Sequence, residues 1–217
     1  MLRVKAGTTR WSASVIRLIS LGCVAVPVLV LIYDAQTIIE NLDFSAVTHT
    51  VSEFALRNFG LLEKASMVLA SFLLTSMAFV WKLRLAPAFG KLFAMGSYLL
   101  FITGLCFIVV AIFPTDGRNA ARTTLGIAHI VSATSASAIF PAFLVLTFLG
   151  LKTNPRFYGL ARFSLFIAVC GVLSLVWMLL AYVVTDTPGL AERTMMLLYL
   201  LWLATAGYRL TSYAAEQ

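Results

Sequence analysis

Apolar and polar positions alternate along this chain in long blocks rather than with a period of two or of 3.6 residues. Six apolar runs stand out, at about 14–33, 63–81, 92–113, 124–150, 163–184 and 190–208. Each is close to the roughly 20 residues that a helix needs to cross a bilayer. Lipid offers no partners to backbone N–H and C=O groups, so each run must be helical. A membrane β-barrel would show alternating segments of about ten residues instead. The pattern therefore predicts an all-α, polytopic membrane protein: a bundle of six transmembrane helices forming a single transmembrane domain over residues 1–217. The run at 124–150 is long enough to tilt or to project beyond the lipid.

The connections add detail. The longest lies between residues 34 and 62. In VTHTVSEFALRNFG, Thr50 or Ser52 can cap a short helix beginning near Glu53, and Gly60 can end it. A short interfacial helix across the mouth of the bundle is expected there, with Ser52 and Glu53 turned inward and Arg57 toward water. The N-terminal stretch MLRVKAGTTRWSASVIRLISLG resembles a signal peptide superficially. Its apolar run continues to Tyr33 without a small-x-small cleavage site, so it reads as a retained first helix.

Composition agrees with this picture. Hydrophobic residues make up 61% and charged residues 12%, with mean hydropathy +0.95, against about 45–50% and about 25% in soluble domains. The net charge of +7 is scattered between apolar runs, which argues against a nucleic-acid partner. Cys23, Cys106 and Cys170 each lie inside an apolar run, without a CxxC or a Cys/His cluster, and read as small packing residues.

The placement of charge is more informative than its sum. Arg3, Lys5, Arg10, Arg17, Lys82, Arg84, Lys91, Lys152, Arg156, Arg162 and Arg209 fall on one side of the six runs, eleven against five on the other. The excess belongs in the cytoplasm, so both termini are expected there, in a cell inner (cytoplasmic) membrane. Eight of the nine acidic residues and both histidines then fall on the outer side, Glu216 being the exception. Nearly every group able to bind a metal or move a proton is predicted at one end of the bundle.

Within that set, His129 stands about 8 Å inside the fourth run at 1.5 Å per residue, a depth at which an ionisable group must face the interior or water. A packing role and a functional one both fit it. His49, Glu53 and Arg57 would share a face if their segment were helical, and a solvated surface helix fits equally well. Glu192-Arg193 fall in the first turn of the sixth run, where an interfacial pair is common.

Three motifs, SEFAL before the second run, FPTD followed by GIAH at the junction of the third and fourth, and GLAER-x8-W in the sixth, occur in the order found in a known family. The chain resembles the six-helix prokaryotic membrane proteins grouped as domain of unknown function 998, which are more distantly similar to the eukaryotic DRAM-like membrane proteins. The resemblance covers nearly the whole chain and implies Ser52, Glu53, Asp116, His129 and Arg193 as the family's polar positions. It implies no reaction, and His49 lies outside the matching motifs.

Three functions fit these residues. The first is binding of a lipid or other amphiphile in a polar outer pocket, with membrane lipids as partners. Arg193 would meet an anionic headgroup, oriented by Glu53 and Asp116. The second is an accessory or structural subunit of a larger membrane complex, with other membrane subunits as partners. The third is a membrane hydrolase, with His49, Glu53, Asp116 and His129 as metal ligands, or Ser52 as nucleophile and His129 as base. No HExxH motif supports a metal site, and no cofactor is expected. From their shared side and depth, Glu53, Asp116, His129 and Arg193 are expected to converge in a single cluster.

Overall fold

The computed structural model of the protein describes residues 13–117 and 120–214. Arg3, Lys5, Arg10, Arg118 and Glu216 of the charge count lie outside them. Seven α-helices follow in order: α1 (Ala13–Ile39), α2 (Val51–Phe54), α3 (Gly60–Val80), α4 (Ala86–Ile112), α5 (Thr124–Leu151), α6 (Tyr158–Leu180) and α7 (Pro188–Ala214). A π-helical turn, Trp81–Leu85, joins α3 to α4, and a second, Ala181–Thr185, extends α6. The described residues contain no strand.

Among the described residues, four helical stretches are long and apolar enough to cross a membrane: Ser14–Ile39, Gly60–Ile112, Thr124–Leu151 and Tyr158–Thr185. The second holds 53 residues and would measure about 80 Å if straight, far beyond the roughly 30 Å hydrocarbon core. It is not straight. Gly90 adopts φ 85° and ψ −169° inside it, a conformation open to glycine and costly for other residues, and α3 packs against α4. The helix α7 is the least apolar of the long helices and carries Glu192, Arg193 and Arg209.

Several boundaries differ from the predicted ones. The connection expected between residues 81 and 92 is helical up to the turn at Gly90. One of its cations reaches an aromatic face: Lys82 Nζ lies 4.4 Å from the Tyr98 ring centroid. The first helix runs past Tyr33 to Ile39. Thr37 Oγ1 donates to Tyr33 O at 2.7 Å and Asn41 Nδ2 to Thr37 O at 2.7 Å, so polar residues continue the helix and then satisfy its last carbonyls. Asp34 is thereby placed inside α1 instead of beyond it.

The long helices pack in chain order. α1 contacts α3, α3 contacts α4, and so on through α5 and α6 to α7, which returns to α1. Their outward faces are greasy: Leu18 is 71% exposed, Leu173 64% and Val183 84%. Apolar exposure on this scale marks a surface made for something other than water. Inward-facing hydroxyls avoid the cost of unpaired burial by donating to the carbonyl one turn back, as Ser20 does to Ile16 O (2.7 Å), Ser97 to Phe93 O (3.0 Å) and Ser164 to Leu160 O (2.8 Å).

One half of the interior is an aromatic cluster. Trp81, Phe93, Phe140, Phe143 and Trp202 are each no more than 2% exposed. Trp202 meets Phe143 edge-on at 4.9 Å and Trp81 at 5.6 Å, and Trp81 stacks on Phe93 at 5.0 Å. The Trp202 indole N–H donates to Ser164 Oγ at 2.9 Å, so this packing leaves that donor satisfied. The buried acidic residues and His129 lie toward the other end of the bundle.

Candidate functional site

The polar end is assembled around the start of α7. Pro188 sets the first helical turn, and Gly189 lies where an added Cβ would strike the carbonyls of Ala46 and His49. That close approach lets Leu190 N–H donate to Val47 O at 3.1 Å. Arg193, one turn on, grips the surrounding elements. Its Nε and Nη2 form a fork on Asp34 Oδ2 and Oδ1, both at 3.1 Å. Its Nη1 donates to Ala46 O at 2.8 Å and His49 O at 2.9 Å. Its Cζ sits 4.8 Å from the Phe54 ring centroid. The guanidinium therefore ties α1, the 46–49 turn, α2 and α7 together. Glu53 and Asp116, expected to orient Arg193, make no hydrogen bond to it among the described contacts; Asp34 does so, 159 positions away in sequence.

The predicted interfacial helix is shorter than expected and placed earlier. It spans Val51–Phe54, and Thr50 is its N-cap. Glu53 closes a capping box: its Oε2 accepts from Thr50 N–H at 2.9 Å, and Glu53 N–H donates to Thr50 Oγ1 at 3.3 Å. Glu53 is buried and Arg57 exposed, with the Arg57 Cζ 4.4 Å from the Phe44 ring centroid. Gly60 does not end this helix. It begins α3, after a reversal at Phe59, whose φ is 62°. Glu192 reaches from α7 to accept the Val51 N–H at 2.6 Å, meeting one of the first-turn amides that α2 cannot pair internally.

His129 and Asp116 organise the α4–α5 junction. His129 Nδ1 lies 2.8 Å from Phe113 O. A carbonyl only accepts, so Nδ1 carries the hydrogen, and a neutral ring leaves Nε2 as an acceptor. Asp116 accepts from Thr123 N–H at 2.9 Å and from Thr123 Oγ1 at 2.8 Å, while Thr123 Oγ1 caps α5 by accepting from Gly126 N–H at 3.0 Å. The Thr123 amide, and then its hydroxyl, hold the Asp116 carboxyl below its ordinary titration range.

The metal set considered from sequence does not assemble. His49 stacks on Phe44 at 3.6 Å between centroids, and its Nδ1 faces Ser45 O at 3.1 Å and Thr48 Oγ1 at 3.0 Å. It lines an open cleft with Glu53 and Arg57, away from His129. Among the described residues, no three His, Cys, Asp or Glu side chains form a group suited to a metal ion. Ser52 Oγ pairs with Thr50 Oγ1 at 3.1 Å, and no Ser52–His129 hydrogen bond occurs among the described contacts.

Ser52, Glu53, Asp116 and His129 do line one cleft of about 280 Å³. Arg193 is not in its wall, whereas its neighbour Glu192 is. Glu192 also lines a smaller cavity of about 40 Å³ shared with Ser52, Glu63 and His129. It lines a third space, of about 100 Å³, walled mainly by apolar groups such as Met67, Phe140, Met178, Met195 and Leu200. Glu63, in the first turn of α3, is 1% exposed, and neither carboxyl oxygen has a hydrogen-bond partner. Thr37 is beside it, but donates its hydroxyl to Tyr33 O instead. From sequence, Asp34 and Glu63 stand only as outer acidic residues and Glu192 only as half of a Glu-Arg pair at a helix start; none of the three is among the expected site residues. A carboxylate in the first turn of an apolar run was the available signal at Glu63.

The family model described as Protein of unknown function (DUF998) matches residues 8–209. Neither a curated protein nor a solved structure matches the chain.

Proposed function

This chain belongs to the DUF998 family, and on that premise we propose that it is a six-span membrane protein that binds a lipid or other amphiphile at its polar end. The six long helices supply the spans, with both termini cytoplasmic and the polar end outside, as the basic residues require. One observation carries the reading. A cleft and a small cavity, each with several polar residues in a largely apolar wall, and a third, almost wholly apolar space share wall residues, with Glu192 in the wall of all three. Ligand sites combine such apolar volume with a few placed polar groups. An amphiphile's tail would occupy the methionine-lined space and its head the cleft.

In this reading Arg193 holds the mouth in shape and does not meet the ligand, because its donors are engaged by Asp34, Ala46 and His49. Native mass spectrometry of protein released from a mild detergent tests the proposal. Wild type should carry an amphiphile adduct. Ala133→Phe, which pushes a ring into the wall shared by the cleft and the apolar space, should lose it. A wild-type protein free of adducts in several lipid backgrounds would remove the proposal.

A further inference from the structure

We propose that the head group accepted at this site is a primary ammonium, held by Glu63 with Glu192. The proposal rests on the amphiphile reading and supplies its ligand chemistry. Its starting point is Glu63, 1% exposed and with both carboxyl oxygens unpartnered. Burying a carboxyl without partners is expensive unless a charge or donor arrives to meet it. The cavity beside Glu63 holds about 40 Å³, against the roughly 10–15 Å³ that one water requires. It accepts a group the size of an ammonium with its first carbon.

The wall offers acceptors in the number such a group needs. An ammonium has three N–H donors and no acceptor. Glu63, Ser52 and His129 are among the residues that line the cavity; the Glu63 oxygens lie just beneath its surface, and His129, whose Nδ1 is committed to Phe113 O, keeps Nε2 as an acceptor in the neutral ring. Glu192 stands in the same wall, its Oε2 fixed by the Val51 amide. Lys64 is the one cation among the residues lining this cavity, and Arg122 and Asp116 lie at the larger cleft outside it. The charges of Asp34 and Arg193 both act on Glu63 and Glu192 from a distance, and the Arg193 hydrogen bonds are spent on Asp34 and three carbonyls. Two carboxyl groups thus line the space with a single lysine. An anionic head would meet them at close range in a medium that screens charge weakly. The ammonium can belong to an aminolipid or to a small chain-free amine, and the experiment separates the two.

Binding of decylammonium, decyl phosphate and methylammonium to the full chain in a neutral sugar detergent is measured by calorimetry, for wild type and for Glu63→Gln. Decylammonium should bind wild type at least about tenfold more tightly than decyl phosphate, and Glu63→Gln should remove about that factor, the worth of one charge-assisted hydrogen bond. Equal affinity for the two chains, a preference for the phosphate, or unchanged selectivity in a folded Glu63→Gln protein would overturn the ammonium assignment while leaving an amphiphile site in place. Methylammonium binding as tightly as decylammonium, and depending on Glu63, would uphold the assignment and sink the amphiphile reading. If none of the three binds, both fall. Should Glu63→Gln fail to fold, the wild-type ratio of ammonium to phosphate decides alone.

Discussion

Replacing Arg193 by alanine should destabilise the protein by about 4 kcal/mol, within the roughly 3–5 kcal/mol seen when one member of a buried ion pair is removed. The magnitude follows from what is stranded. Asp34 loses both N–H donors of the fork, at 3.1 Å each, and the carbonyls of Ala46 and His49 lose donors at 2.8 and 2.9 Å. The side chains of the pair are only 13% and 9% exposed, so water cannot take over those roles cheaply. Arg193→Lys retains the charge but cannot span both carboxylate oxygens, and should cost about half as much. Asp34→Asn combined with Arg193→Ala should cost less than the two single changes together, by about 1–3 kcal/mol of coupling. Thermal unfolding can be followed with a thiol-reactive dye once the partly exposed Cys106 and Cys170 are replaced by alanine, because Cys23 is fully buried and reacts only when the α1–α7 contact opens. At about 2–4 °C per kcal/mol for a chain of this size, Arg193→Ala should melt roughly 8–16 °C below wild type. A shift under about 2 °C, against that expectation, or strictly additive single and double variants, would show that Arg193 does not clasp Asp34.

Three further outcomes can be checked. Thr50→Ala removes the N-cap of α2 and should cost about 1 kcal/mol, read as faster hydrogen exchange at the Glu53 amide with little change elsewhere. Asp116 titrates below its ordinary value of 3.8, so the support its carboxylate gives to the start of α5 is complete above that pH and fades as pH falls through the lower folded value. Carbon NMR should show Thr123→Val raising the Asp116 titration point without fully restoring it, since the Thr123 amide still donates. Finally, a membrane-impermeant maleimide applied to intact cells should label Ala120→Cys and spare Thr153→Cys; the opposite result would invert the topology.

Much of the helical layout was legible because apolar runs of about twenty residues admit one backbone solution in lipid. The collection of acids and histidines at one end was legible too, since it follows from which connections carry them. Thr50 stood as a candidate cap beside Ser52, but the sequence did not choose between them. Pairings across the fold were hidden. Nothing local marks Asp34 as the partner of Arg193, and the extra turns of α1 that carry Asp34 inward depend on Thr37 and Asn41 bonding back to the helix. Lys82 and Arg84 look like loop residues until Tyr98 and neighbouring helices surround them. Glu63 illustrates the limit best. Its position in the first turn of a span was visible, but its burial without a hydrogen-bond partner appears only in the folded chain, where the nearby Thr37 hydroxyl turns to Tyr33 O.

The packed indoles and phenyl rings of Trp81, Phe93, Phe140, Phe143 and Trp202 stand between the polar end and the far end of the bundle. Under the proposed function, a guest beside Glu192 would therefore be held near one face of the membrane, and passage to the opposite face would first require Trp202 to break its bond with Ser164 and swing aside.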